Sequence, residues 1–292
     1  MSDDYRAVVV GNFAEGATLS GGSYQLPLTN AQTRDMGVMA RSTDALETST
    51  KVVIDLTRSE QIAGLMLCKI NASIDATYRI QSSAFSDFSV IKYDTGEDYL
   101  YFPGFVVESE LLPYDHPDFW NGQLRRYLLT PFAKHLIHVI PDEDRTNAYA
   151  RYWRILIKDT ANTDGYLQFA YVVCGEGFRP AVNYNNNGFD VENLTDVSEA
   201  LGGQETFWER AQRRTWSAGF DFVSNQEAFG AGLRLAVNAR DSRPVFVVPD
   251  PSDLLNLQHR SFLARFTKTP RIEQLVGFSD MTKTALDFKE WL

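Results

Sequence analysis

Four histidines, His116, His135, His138 and His259, are the only imidazoles in this 292-residue chain, and two of them sit three apart in KHLIH. Imidazoles hold zinc when both rings share a face and further ligands stand at metal spacing. Residues three apart on a strand point to opposite faces, and KHLIH has no Cys or Glu at zinc spacing, so ordinary histidines are expected there. Asp159, Asn162 and Asp164 in DTANTDG offer hard oxygens of the kind calcium accepts, but not at EF-hand spacing. Asp and Asn ahead of Gly are also the residues of a tight turn, and a turn is the expectation. Glu108 with Glu110, and Asp115 with Asp118, are carboxylate pairs of the type a glycosidase sets about a sugar bond; any acidic chain contains such pairs. The chain has no G-x-S-x-G elbow and no P-loop, and GEG at 175–177 lacks the third glycine and the helix of a dinucleotide fingerprint. No catalytic residue, no cofactor and no metal are therefore expected.

Binding is better served by YDHPDFWNG, residues 114–122, where two large aromatics stand among polar and turn-forming neighbours. Such side chains stack on sugars or anchor protein interfaces, because they bring large area at low entropic cost. Trp120 and Phe119, with His116 and Tyr114 beside them, are the candidate ligand- or partner-binding residues. The competing expectation is a loop folded back, with these aromatics in the core of their own domain.

The elements that must position such residues are strands. KVVIDL (51–56), IAGLMLCKI (62–70), ATYRIQSS (76–83), RYWRILIKD (151–159) and YLQFAYVV (166–173) alternate with period two, the mark of a sheet with one wet and one dry face. Trp153, Ile155 and Ile157 form one inner face. Asp164-Gly165 supplies a turn that closes a hairpin, so Phe169, Tyr171 and Val173 are expected to repeat the inward pattern on the returning strand. From 175 to 204 the chain turns rich in Gly and Asn and loses periodicity, and the domain junction is placed there. Beyond it, TWSAGFDFVS reads as a strand with Trp216, Ala218, Phe220 and Phe222 on one face. Ser224 and Glu227 have capping-box spacing ahead of a helix marked by Ala228, Phe229, Gly232, Leu233 and Ala236. PVFVVPD, RSFLARFTK and TALDFKEWL supply three further strands. An all-β, mainly antiparallel protein is expected, with a β-sandwich over 1–180 carrying an insertion around 96–148, and a smaller β-rich domain with one helix over 181–292, its linker at 181–204.

The bulk composition narrows the role. A chain of this length builds a core without staples. Cys68 and Cys174 each end an apolar run and read as small core residues. A formal charge of −10 lacks the clustered cations that phosphate neutralisation needs, which argues against nucleic acid; Arg210, Arg213 and Arg214, the best candidate for a local basic patch, read more simply as a solvated strand entry or a salt-bridging edge. MSDDYRAVVVGNF carries no secretory pattern and no apolar run is long enough to span a bilayer, so the chain is expected to be made and kept soluble in a cytoplasm. The sequons at Asn71 and Asn193 then carry little weight.

Two resemblances add to this reading. VVIDL, IAGLMLCKIN, ATYRIQSSAFSDFSVIKYDTG and ARYWRILIKDTANTDGYLQFAYVVCG together resemble the galactose-binding, discoidin-type jelly roll over about residues 45–180, RYWRI being the most specific element. LGGQETFWERAQRRTWSAGFDFVSNQEAFG and RPVFVVPDPSDLLNLQHRSFLARF look like the carboxy-terminal part of minor tail proteins of long-tailed bacteriophages, in which a discoidin-like domain comes first. That family carries no active site to transfer. The resemblance implies a non-enzymatic virion component, a distal-tail or baseplate protein at the tail tip, assembled in the host cytoplasm as a homo-oligomeric ring or trimer with other tail proteins as partners. A carbohydrate-binding module that attaches the particle to a host-surface glycan is the alternative.

Overall fold

The structure is a computed structural model describing residues 6–101, 113–115, 132, 134–199, 202–240, 242–268, 270–274 and 280–292. The chain forms two compact units: residues 1–179 with 245–261, and residues 180–244 with 262–292.

The first unit is a two-layer antiparallel sandwich. Its strands are β1 (Thr18–Ser20), β2 (Val52–Gln61), β3 (Gly64–Cys68), β4 (Thr77–Ser83), β5 (Ile91–Asp94), β6 (His135–Val139), β7 (Tyr149–Lys158) and β8 (Tyr171–Gly175). One sheet has the order β1-β2-β7-β4-β5 and the other β6-β3-β8. From β2 to β4, and again from β6 to β8, the chain passes from one sheet to the other and back, as a jelly roll does. The alternation in RYWRILIKD is the cause of the layer. Trp153, Ile155 and Ile157 are fully buried and share one core with Val52, Ile54 and Leu56 of β2 and with Leu65 and Leu67 of the facing sheet. Each such aliphatic side chain contributes about 1.5–3 kcal/mol by leaving water.

The structure corrects the hairpin expected at Asp164-Gly165. The turn is present, with Gly165 at φ +73° and Gly165 N–H donating to the Asn162 carbonyl. The strand that follows, however, crosses to the other layer and pairs with β3, Tyr171 opposite Cys68, while β7 is flanked by β2 and β4. The inward parity on β8 belongs to Val172 and Cys174. Tyr171 and Val173 are buried on the opposite face, where the amino-terminal segment packs: the Tyr171 hydroxyl donates to Glu15 at 2.6 Å, and the Asn12 side-chain amide donates to the Val172 carbonyl. Alternation misleads here because both faces of β8 are dry. Cys68 and Cys174 are free and buried, and burial pushes both thiols up.

A contiguous 181–292 domain is not what the fold shows. Val245–Val248 belongs to the first unit, where it pairs with Val8–Val10, and Val8–Val10 pairs in turn with Gly177–Phe178. The expected linker at 181–204 also contains strands. Their side chains are mostly exposed on both faces, so no alternation announced them.

The second unit consists of β9 (Asn186–Glu192), β10 (Asp196–Glu199), β11 (Glu205–Trp208), β12 (Arg213–Ser224), a segmented helix, β13 (Phe262–Phe266), β14 (Arg271–Gln274) and β15 (Met281–Glu290). Its main sheet runs β13-β15-β12-β9, with β14 paired beside β13 along β15. Trp216 stacks on Phe288, ring centres 5.7 Å apart, and Phe266 closes on Phe288 at 4.8 Å. Arg214 is wholly buried, its guanidinium paired with Glu290 and 5.1 Å from the Phe262 ring. Arg210 pairs with Asp196, so these two arginines take part in ion pairs within the unit. Phe222 departs from the expected face: a bulge between Phe220 and Val223 puts it at φ +61° and exposes it, and Val223 turns inward instead.

Ser224 and Glu227 form the capping box, with Glu227 N–H donating to Ser224 Oγ. The helix then runs as α-helical Asn225–Glu227, π-helical Ala228–Gly232 and α-helical Leu233–Ala239. The π segment shifts the periodicity, so the buried positions are Ala228, Leu235, Ala236 and Ala239, while Phe229 and Leu233, expected on the apolar face, are exposed.

Candidate functional site

Of the four candidate binding residues, His116, Phe119 and Trp120 lie outside the described residues. Tyr114 is described, and its side chain is largely exposed. The carboxylates Glu108, Glu110 and Asp118 are outside the described residues too, and Asp115 is exposed.

The DTANTDG oxygens are engaged within the turn. Asp159, 1 % exposed, accepts from the Ser73 backbone N–H at 2.8 Å, from Ser73 Oγ and from the Asn162 amide at 3.0 Å. Asn162 Oδ1 accepts the Asp164 N–H, and Asp164 accepts from Asn71 at 2.9 Å. These carboxylates organise the loop that joins β7 to β8. Among the described residues no group of three or more His, Cys, Asp or Glu is placed to hold a metal ion.

The two KHLIH rings do diverge, as strand parity requires. His135 meets the Phe246 ring edge-on at 5.4 Å, and its Nδ1 accepts from the Lys69 N–H. His138 enters the sandwich, where Nδ1 stands 3.1 Å from the Tyr78 hydroxyl and Nε2 2.8 Å from the Tyr93 hydroxyl. A neutral imidazole has one donor and one acceptor, so one phenol donates to the ring and the other accepts from it. Burial lowers the His138 pKa to about 4 and raises both phenols. The cluster borders a cleft of about 260 Å³ lined also by Arg179, Pro141, Leu254 and Leu257. Arg179 donates to the Ile140 carbonyl and to Asp142, each at 3.2 Å. With both ring nitrogens engaged and the ring neutral at pH 7, this arrangement ties β6 to the opposite sheet and is not poised for acid–base work. Sequence reading missed Tyr78 and Tyr93; the available signal was a hydroxyl-bearing aromatic at core parity beside Ile80 in ATYRIQSS.

The second unit displays a different surface. β10 and β11 form a two-stranded hairpin whose residues are all exposed; Val197, Phe207 and Trp208 are 56, 59 and 65 % exposed. Val197 is directly opposite Phe207, so these two share a face, and Glu199 opposite Glu205 continues that face toward the turn at Gly202 and Gly203. Trp208 lies opposite Asp196 on the other face. On the helix of the same unit, Phe229, Leu233 and Val237 recur every four residues at 54, 42 and 58 % exposure. The sequence signal was faint: single apolar residues between acids, and helical apolar positions in excess of what one buried stripe needs.

No family model matches the chain, and no curated protein matches it. Among solved structures, the carbohydrate-binding module CBM32-1 from a family 31 glycoside hydrolase of Clostridium perfringens is similar to it. The two share 14 % identity with a TM-score of 0.33, over 56 % of this chain and 97 % of that one.

Proposed function

We propose that this chain is a non-catalytic assembly protein, a structural component of a bacteriophage tail tip that holds neighbouring virion subunits together. One observation carries the reading: the β10–β11 hairpin of the second unit exposes Val197, Phe207 and Trp208 on a two-stranded ribbon. A two-stranded hairpin is marginal in water on its own, and apolar side chains gathered on it are the usual mark of a protein contact. The titratable cluster around His138 in the first unit is engaged internally. The resemblance of FWERAQRRTWSAGFDFVS and its surroundings to tail proteins supplies the biological setting.

The test is composition and position. Tailed particles purified from the source should contain this chain in a fixed ratio to their other tail proteins, and gold-labelled antibody should mark the tail tip. Particles free of the chain overturn the reading. The carbohydrate-binding alternative rests, among the described residues, on the exposed Tyr114; a glycan array bound by a chain missing from particles would select it.

A further inference from the structure

The two exposed apolar faces of the second unit match each other in character. The hairpin face presents Val197 and Phe207 with Glu199 and Glu205 beyond them. Over residues 196–210 the acids Asp196, Glu199, Glu205 and Glu209 stand against Arg210 alone. The helix presents Phe229, Leu233 and Val237, and its carboxy-terminal end carries the exposed Arg240 and Arg243. One face is apolar with an acidic end, the other apolar with a basic end.

The register adds a second argument. Glu199 and Glu205 are cross-strand partners, and like charges directly opposite destabilise a hairpin unless a cation meets them. The dimensions also agree. Two residues along a strand carry the Val197–Phe207 pair to the Glu pair over about 7 Å. On a helix, the midpoint of Leu233 and Val237 lies about 7–8 Å from Arg240 at 1.5 Å per residue.

We propose that the Val197–Phe207 face of the hairpin docks on the Phe229–Leu233–Val237 stripe of a second copy of this chain, with Glu199 and Glu205 meeting its Arg240 and Arg243. This rests on the assembly reading above and names the partner for that surface. The contact is heterologous: each copy offers a hairpin to one neighbour and a helix to the other, so the product is a closed ring or an open filament.

The experiment uses the full chain in sedimentation velocity over a dilution series. The wild type should assemble. Phe207→Asp and Leu233→Asp, both at exposed positions, should keep the wild-type circular dichroism and melting curve and sediment as monomers. Mixed in equal amounts, they should give dimers and nothing larger, since only one intact hairpin and one intact helix remain in the pair. Glu205→Arg and Arg240→Glu should each weaken assembly roughly tenfold or more, and the chain carrying both should recover it. Assembly of Leu233→Asp like the wild type overturns the hairpin-on-helix contact while leaving the assembly role intact. A wild type that stays monomeric throughout overturns self-docking altogether, and the assembly role then stands or falls on whether particles contain the chain.

Discussion

The Tyr93 hydroxyl, on one sheet of the sandwich, lies 2.8 Å from Nε2 of His138, on the other. With Tyr78 on the second ring nitrogen, this hydrogen bond makes the imidazole a polar link between the two sheets, and it ties the stability of the sandwich to the charge on that ring.

The first prediction concerns pH. An unfolded histidine titrates near 6.5, whereas folded His138 is lowered to about 4 by burial. Between those values the unfolded chain holds a proton that the folded chain lacks. Stability is therefore complete above about pH 6.5, falls by about 3 kcal/mol as pH drops to about 4, and loses nothing more from this group below that. Denaturant titrations at steps from pH 7 to pH 4 should show the slope in the wild type and lose that component in His138→Gln. Parallel slopes in the two proteins would refute it.

The second concerns the buried pair Arg214–Glu290. Glu290 also accepts the Arg214 backbone N–H at 2.9 Å, so the carboxylate closes both charge and backbone at one point. Glu290→Ala leaves the guanidinium buried without its counter-charge and should cost about 3–5 kcal/mol. Replacing both, Arg214→Met with Glu290→Leu, should recover most of that loss, because the desolvation cost goes with the charges. Equilibrium unfolding of the three chains reads the comparison.

The third concerns Thr57, a β-branched residue at φ +66° on β2 whose N–H donates to Asp55 Oδ1 at 2.8 Å. Left-handed backbone disfavours an L side chain by about 1–2 kcal/mol, and glycine escapes that cost. Thr57→Gly should raise the denaturation midpoint, with a gain of about 1 kcal/mol. A lower midpoint would show that the side chain earns its strained position.

The fourth concerns the DTANTDG turn. Since the Asp159 and Asn162 oxygens already accept hydrogen bonds, calcium and a chelator should leave the melting temperature unchanged. Asp159→Ala should cost about 1–3 kcal/mol by taking the acceptor from the half-buried Ser73 N–H and hydroxyl. A calcium-dependent rise in melting temperature would make the loop a metal site after all.

How much of this was legible in the sequence varies with what each residue touches. Trp153, Ile155 and Ile157 were readable because one side of β7 faces the core and the other faces outward, which writes the burial pattern directly into the alternation. β8 was misread in both partner and parity, because all of Tyr171–Gly175 is buried and a strand dry on both faces carries no phase. The capping box was readable since it is local: Ser224 and Glu227 bond to each other's backbone within one turn. The π segment that follows was not, and it is what turned Phe229 and Leu233 outward. The tyrosine–histidine cluster joins Tyr78, Tyr93 and His138 through tertiary packing alone, which no spacing rule reports. The aromatic-rich segment 114–122 stands out by composition, and of it only Tyr114 and Asp115 fall among the described residues.

Because Val245–Val248 lies alongside Val8–Val10, the sandwich unit is threaded from two separate stretches of sequence, a long body through Arg179 and a late return over 245–261. Scissors applied after Arg179 would therefore strip the neighbour from one side of a strand spelled Val-Val-Val and leave its amide edge unguarded, an invitation to aggregation. Any divide-and-express strategy has to carry the 245–261 return along, spliced in or supplied in trans.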